Sequence, residues 1–194
     1  MSVRIAHIYE TGEMEAKEIA HLIATRFAHR EVDVEPLDGN QLPEDFDFSP
    51  YDGLIIGASA RRGRFPRFVE TIIEDHLDVI EAKPSAFYSV SQIGSEEPEE
   101  HRERIELLVE RFLDAEPWRP VLIASFVGKE SESTAGFLMA LRARGTAGRR
   151  PSKIDLSSDY EYIRQVSVEE FVARFDARLS TFQAYGQSHR PEAL

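Results

Sequence analysis

The 194-residue chain carries 35 acidic and 23 basic side chains, a net charge of −12, with 42% hydrophobic residues and no cysteine. That composition suits one sizeable folded domain; it argues against a generic nucleic-acid surface, which needs excess base, and excludes disulfides, thiolate metal sites and thiol nucleophiles. No apolar run approaches the roughly 20 residues of a membrane span, and Met1–Glu10 has no secretory pattern, so the expectation is a cytoplasmic protein whose membrane contact is at most peripheral.

Val3–Tyr9 reads as a first strand, and Glu15–Arg30 follows with Ile19, Leu22, Ile23 and Phe27 at helical spacing. Glu31–Pro36 alternates as a second strand, after which a polar loop runs to Ser49–Pro50. Leu54–Ala58 is a continuous apolar run, as in a strand buried on both faces. Pro66 reads as the first residue of a helix with Phe68, Val69, Ile72, Ile73 and Leu77 on its inner stripe. Ser85–Val90 is the fourth strand, and the charged stretch Glu96–Glu106 enters a helix facing inward through Ile105, Leu108, Val109 and Phe112. Val121–Val127 is the fifth. Ser167 and Glu170 make a capping box for a last helix built on Val168, Phe171, Val172, Phe175 and Leu179.

The alternation predicts an α/β fold of three layers, with a five-stranded parallel sheet in the order 2-1-3-4-5. One domain is expected over residues 1–186, with a frayed tail at Gln187–Leu194. An insertion of about residues 128–161 follows strand five and is too long for a simple connection. It holds an apolar patch (Phe137–Leu141), a basic stretch (Arg142–Lys153) and Ile154–Leu156, a candidate extra strand. The basic stretch with its apolar neighbour reads either as a peripheral membrane foot over 137–153 or as a packed helix with a solvated loop.

Ligands of open parallel sheets bind beyond the carboxyl ends of the strands, where strand order reverses. That singles out three loops: Tyr9–Glu15, Ser59–Phe65 and Ser91–Glu97. In the first, Thr11 and Gly12 lead into a helix N-terminus, the ingredients of a phosphate cradle. Glu10, Glu13 and Glu15 work against an anion there, since a like-charge pair about 4 Å apart costs about 4 kcal/mol at an effective dielectric near 20. The same acids read equally well as simple complements of the helix dipole. In the second loop Arg61, Arg62, Arg64 and Arg67 stand behind the small residues Ala58, Ser59 and Ala60. They either pair with neighbouring acids or attract a carboxylate, phosphate or anionic lipid. The six histidines show no metal-ligand spacing, so no metal site is expected. GxSxG, Walker and GxGxxG fingerprints are absent from the sequence.

Tyr51-Asp52-Gly53-Leu54-Ile55-Ile56-Gly57-Ala58-Ser59, with Arg61, Gly63 and Phe68, resembles the menaquinone-dependent protoporphyrinogen oxidase family, members of the flavodoxin-like superfamily. Pro84-Ser85-Ala86-Phe87-Tyr88-Ser89-Val90, Arg111-Phe112-Leu113 and Trp118-Arg119-Pro120 carry the same resemblance. The resemblance implies an FMN-dependent oxidoreductase of haem biosynthesis that takes electrons from protoporphyrinogen IX to a quinone. It implies that Thr11 and Gly12 hold the flavin phosphate, in a cofactor-binding loop that also includes Glu10, Glu13 and Met14. Ala58, Ser59, Ala60, Arg61 and Arg62, with Ser89, Val90, Ser91 and Gln92, would line the ring. No catalytic acid or base is implied. Met14, or Ala16 in the alternative alignment, stands where the flavodoxin loop ends in Thr, and Arg62 where the oxidases tend to carry Tyr. Two other roles therefore stay open: a flavodoxin-fold binding module without catalysis, and a flavodoxin-type electron carrier.

Overall fold

The computed structural model describes residues 2–10, 14–91, 97–127, 161–163 and 167–188. Its elements in chain order are β1 (Arg4–Tyr9), α1 (Met14–Ala28), β2 (Asp33–Asp38), β3 (Gly53–Ser59), α2 (Arg67–Glu81), β4 (Ser85–Ser91), α3 (Pro98–Ala115), β5 (Leu122–Val127), β6 (Glu161–Ile163) and α4 (Val168–Ser188). The sheet order is β2-β1-β3-β4-β5-β6, and every pairing is parallel. The five expected strands thus stand in the expected order, with a short sixth added at the β5 edge. Ile154–Leu156 and the rest of 128–160 lie outside the described residues, as do 189–194.

β3 and β4 are buried at every residue, because helices cover both faces of the sheet. Alternate side chains therefore feed two cores. On one face Ile5, Ile55, Tyr88 and Phe126 pack against Ile19, Ile23 and Phe27 of α1 and Phe171, Val172 and Phe175 of α4. On the other, Ile8, Ile56 and Phe87 pack against Val69, Ile72 and Ile73 of α2 and Ile105, Val109 and Leu113 of α3. Glu169 joins α4 to α1 by ion pairs with Arg26 at 3.2 Å and Arg30 at 2.7 Å.

Three local expectations shift. The second strand is Asp33–Asp38 rather than Glu31–Pro36. Glu31 takes a positive φ of 60° in the turn leaving α1, so the chain cannot extend until after it. Pro66 is the cap of α2 rather than its first helical residue: it is extended at ψ 143°, and its carbonyl accepts a bond from Val69 N at 3.1 Å. Helix α4 runs to Ser188, past the start of the expected tail. The Ser167 cap is present, with its Oγ accepting from Glu170 N at 3.2 Å.

Within the first core His7 is buried, and its Nε2 shares a 2.9 Å hydrogen bond with the Tyr88 hydroxyl. The two residues sit on β1 and β4, so the tyrosine ring has to cross β3 to make the bond. Gly57 lets it pass. A Cβ on Gly57 would lie 2.1 Å from Tyr88 Cζ and 2.2 Å from its hydroxyl oxygen.

Gly57→Ala should therefore destabilise the fold by about 1–3 kcal/mol through overpacking. Tyr88→Phe should cost a similar ~1–3 kcal/mol by leaving the buried imidazole without its partner. The shift of the urea midpoint, at unchanged slope, measures both.

Candidate functional site

The parallel register brings the carboxyl ends of β1, β3 and β4 to one edge, with Ala58 beside Ser89 and Ser59 beside Val90. The three predicted loops leave from this edge. Ala58, Ser89 and Val90 are fully or almost fully buried within the strands. Ser89 Oγ donates to Ser125 Oγ of β5 at 2.8 Å, and Val90 belongs to the first core. Ser59 and Ser91 are the last buried residues of β3 and β4. Glu10 and Ala60 are half-buried, whereas Met14 is 72% exposed at the start of α1. Thr11, Gly12, Glu13 and Gln92 lie outside the described residues.

The arginine loop has a defined shape. Arg61 N donates to Arg64 O at 2.9 Å, and Arg64 N donates to Arg61 O at 3.0 Å, closing a two-residue hairpin. The central residues, Arg62 at φ 49° and Gly63 at φ 74°, are both left-handed, as a type I′ turn requires. Gly63 accepts that conformation without strain, but Arg62 does not. Below the hairpin, Ala60 N donates to Val90 O at 3.0 Å. The Phe65 ring packs edge-on against Phe87 at 5.2 Å and Phe112 at 5.1 Å. All four residues of the hairpin are exposed.

Two serines differ sharply in their satisfaction. Ser59 Oγ is buried and has no hydrogen-bond partner among the described residues. Ser91 Oγ, by contrast, lies 2.9 Å from Nε2 of the buried His101 on α3. Arg104 Nη2 lies 3.1 Å from the other ring nitrogen, Nδ1. A guanidinium only donates, so Nδ1 accepts and the neutral ring carries its proton on Nε2. His101 thus donates to Ser91 and leaves that hydroxyl its own proton to give. The pairing holds the serine as a hydrogen-bond donor and does not activate it as a nucleophile. Sequence spacing did not reveal His101, because a lone histidine on a charged helix carries no pattern of its own.

Titration is perturbed beneath the crevice. Burial lowers the pKa of His7 to about 3. Tyr88 is raised well above the usual phenol value by its own burial and then by the neighbouring Tyr9. Tyr9, at the end of β1, is raised by burial and by Asp38 across the β1–β2 pair. At neutral pH these groups form an uncharged floor. Among the described residues no His, Asp and Glu cluster has the geometry of a metal site, and no helix is long and apolar enough to cross a membrane.

A family model described as "Flavodoxin domain" matches residues 7–141. The chain is 26% identical over 121 residues to Protoporphyrinogen IX dehydrogenase [quinone] of Escherichia coli (strain K12), a match covering 62% of this chain and 66% of that protein. A protein of the same name from Leishmania major is 27% identical over 127 residues, 62% of this chain and 52% of its own. The chain therefore spans about two thirds and about half of the curated relatives it matches. Among solved structures, rubredoxin oxygen:oxidoreductase from Desulfovibrio gigas superposes with a TM-score of 0.51 at 11% identity, over 93% of this chain and 37% of that one. At that identity the likeness concerns the fold alone.

His7 gives the crevice floor a pH signature. Its native pKa of about 3 lies below the unfolded value of 6.5, so above pH 6.5 neither state is protonated there and its contribution is intact. Below pH 6.5 only the unfolded chain takes the proton, and stability falls by about 1.4 kcal/mol per pH unit until the native group titrates. Chemical denaturation from pH 7 to pH 4 should show this extra slope, and His7→Gln should remove it.

Proposed function

The chain belongs to the flavodoxin domain family, its match spanning residues 7–141, and from that premise we propose that it is a flavin-dependent oxidoreductase acting on a porphyrinogen with a quinone as electron acceptor. The substrate and acceptor come from the E. coli and Leishmania relatives, both named protoporphyrinogen IX dehydrogenase [quinone]. The single observation in this chain that carries the flavin reading is Ser59 Oγ, a buried hydroxyl with no partner among the described residues, at the carboxyl end of the central strand. Buried polar atoms are rarely left unpaired unless something else is to pair with them. The chemistry of its surroundings fits FMN. Small side chains at Ala58, Ser59 and Ala60 admit a flat ring to the backbone, and Ser91, held by His101, offers a polarised hydroxyl.

When bound, the flavin supplies the redox chemistry. The chain's own residues bind and orient it. In this proposal Thr11 and Gly12 hold the phosphate, in a loop that also includes Glu10, Glu13 and Met14. Ala58, Ser59, Ala60, Arg61 and Arg62 lie along one side of the ring, with Ser89, Val90, Ser91 and Gln92 along another. The neutral floor of His7, Tyr9 and Tyr88 keeps compensating charge away from below. The segment 137–153, proposed as the contact with a membrane surface where a quinone would be met, lies outside the described residues.

The reading predicts that purified protein is yellow, or that added FMN restores flavin absorbance and is quenched in fluorescence on binding. Ser59→Ala should weaken FMN at least several-fold, in line with about 1 kcal/mol for a lost hydrogen bond. Colourless protein that ignores millimolar FMN would sink the oxidoreductase and leave a flavodoxin-fold binding module. Protein that binds FMN and exchanges electrons with quinone but oxidises no porphyrinogen would retain only the flavoprotein part.

A further inference from the structure

We propose that Arg64 and Arg67, presented by the 61–64 hairpin and the first turn of α2, form an anion clamp that receives the carboxylates of the substrate. The proposal rests on the porphyrinogen reading, since that macrocycle carries two carboxylate side chains.

The hairpin is a rigid mount for a clamp. Its two backbone bonds, the Ala60 tie to β4 and the packing of Phe65 between Phe87 and Phe112 fix its base on the sheet. Arg61 and Arg64 are a hydrogen-bonded antiparallel pair, so their side chains leave the hairpin on the same face, about 5.5 Å apart at the backbone. Arg67 opens α2 three residues later. The pair is placed at the carboxyl end of β3, which sits in the sheet between β1 and β4.

Charge pairing takes up several of the arginines elsewhere in the chain. Arg4, Arg26, Arg30, Arg102 and Arg174 each pair with a carboxylate. Among the described residues no ion pair joins Arg62, Arg64 or Arg67 to any acid, in a chain with 12 more acids than bases. Arg67 also stands at a helix N-terminus, where the dipole disfavours a cation. Arg62 holds a left-handed backbone that costs of order 1 kcal/mol or more in a residue other than glycine. Three features that each oppose stability converge on one exposed turn beside the candidate crevice. Guanidinium forks meet carboxylates in bidentate pairs, so Arg64 and Arg67, three residues apart in the chain, offer one fork to each of two carboxylates.

The test uses the full-length, FMN-supplemented protein and protoporphyrin IX, the air-stable oxidised macrocycle bearing the same two carboxylates, followed by fluorescence titration. The wild type should bind it at least tenfold more tightly than its dimethyl ester, in the same detergent. Arg64→Ala/Arg67→Ala should lose at least tenfold in affinity for the free acid and nothing for the ester. Its FMN affinity should stay within twofold, and its melting temperature should be equal or higher. Raising salt from 50 to 200 mM should weaken the wild type and leave the variant nearly unchanged. Millimolar inorganic phosphate should compete only weakly; full displacement would reassign the clamp to phosphate and overturn the carboxylate proposal. Equal affinity for acid and ester on the wild type, which needs no variant to fold, overturns it as well. Wild-type protein that binds FMN but no porphyrin in either form instead overturns the porphyrinogen reading on which the clamp rests.

Discussion

The crossing of Tyr88 over Gly57 to reach His7 is the constraint on which the three central strands depend. One hydrogen bond of 2.9 Å ties β4 to β1 across β3, and it exists only because β3 has no Cβ at the crossing point. The same phenol ring meets Phe126 at 5.4 Å and Phe171 at 6.0 Å, both edge-on, so it also seats β5 and α4. His7 in turn packs against Tyr9 at 5.2 Å, the last residue before the first loop. A neutral imidazole and an un-ionised phenol satisfy each other in a core that would tolerate neither alone. The strands locked in this way are those whose carboxyl ends meet at the candidate site. Strand spacing at the site is thus set from inside the core.

The two edges of the sheet are built to different ends. At the amino edge Lys83 Nζ donates to the carbonyls of Phe48 at 2.6 Å, Ser49 at 3.2 Å and Tyr51 at 2.6 Å, clipping down the long β2–β3 connection. Its amine pKa is lowered by that burial. Arg4 N donates to Asp52 Oδ2 at 2.9 Å, and Trp118 Nε1 donates to Ser85 Oγ at 2.9 Å. Polar groups there are matched. The carboxyl edge instead holds, among the described residues, a buried Ser59 hydroxyl without a partner, a strained Arg62, and Arg64 and Arg67 without a paired acid. A buried unmatched group such as the Ser59 hydroxyl costs stability, whereas an exposed cation stays solvated and costs little.

Much of this was legible in the sequence, and the rest was hidden for identifiable reasons. Leu54–Ile56 and Ser85–Val90 announce buried parallel strands because burial on both faces removes the need for polar alternation. The stripe Phe171, Val172, Phe175 and Leu179 announces α4 because nothing in it competes with helical packing. Most strings that carry the family resemblance prove to be scaffold: Tyr51 and Asp52 sit in the Lys83 and Arg4 clips, Gly57 and Tyr88 make the crossing, and Trp118 meets Ser85. That is why they point firmly to a fold and less firmly to a substrate. The 61–64 hairpin was hidden because its turn places an arginine where glycine or asparagine is the usual signal. His101 was hidden because its role depends on Ser91 and Arg104, which only the packing of α3 on β4 brings together.

The arginines finally show why net charge alone is a poor guide to partners. A chain of −12 ought to neutralise its scarce cations first, since opposite charges are plentiful and arginine pairs readily. At the end of α1 and in the turn after it this happens: Arg26 and Arg30 both reach Glu169, and Arg30 also approaches Asp176 at 3.8 Å. Exposed pairs of that kind contribute little each, so leaving a few arginines unpaired costs little in turn. What costs more is placing them at a helix N-terminus and on a left-handed backbone. Gathered on one exposed turn, such cations make a local positive patch that the summed charge conceals.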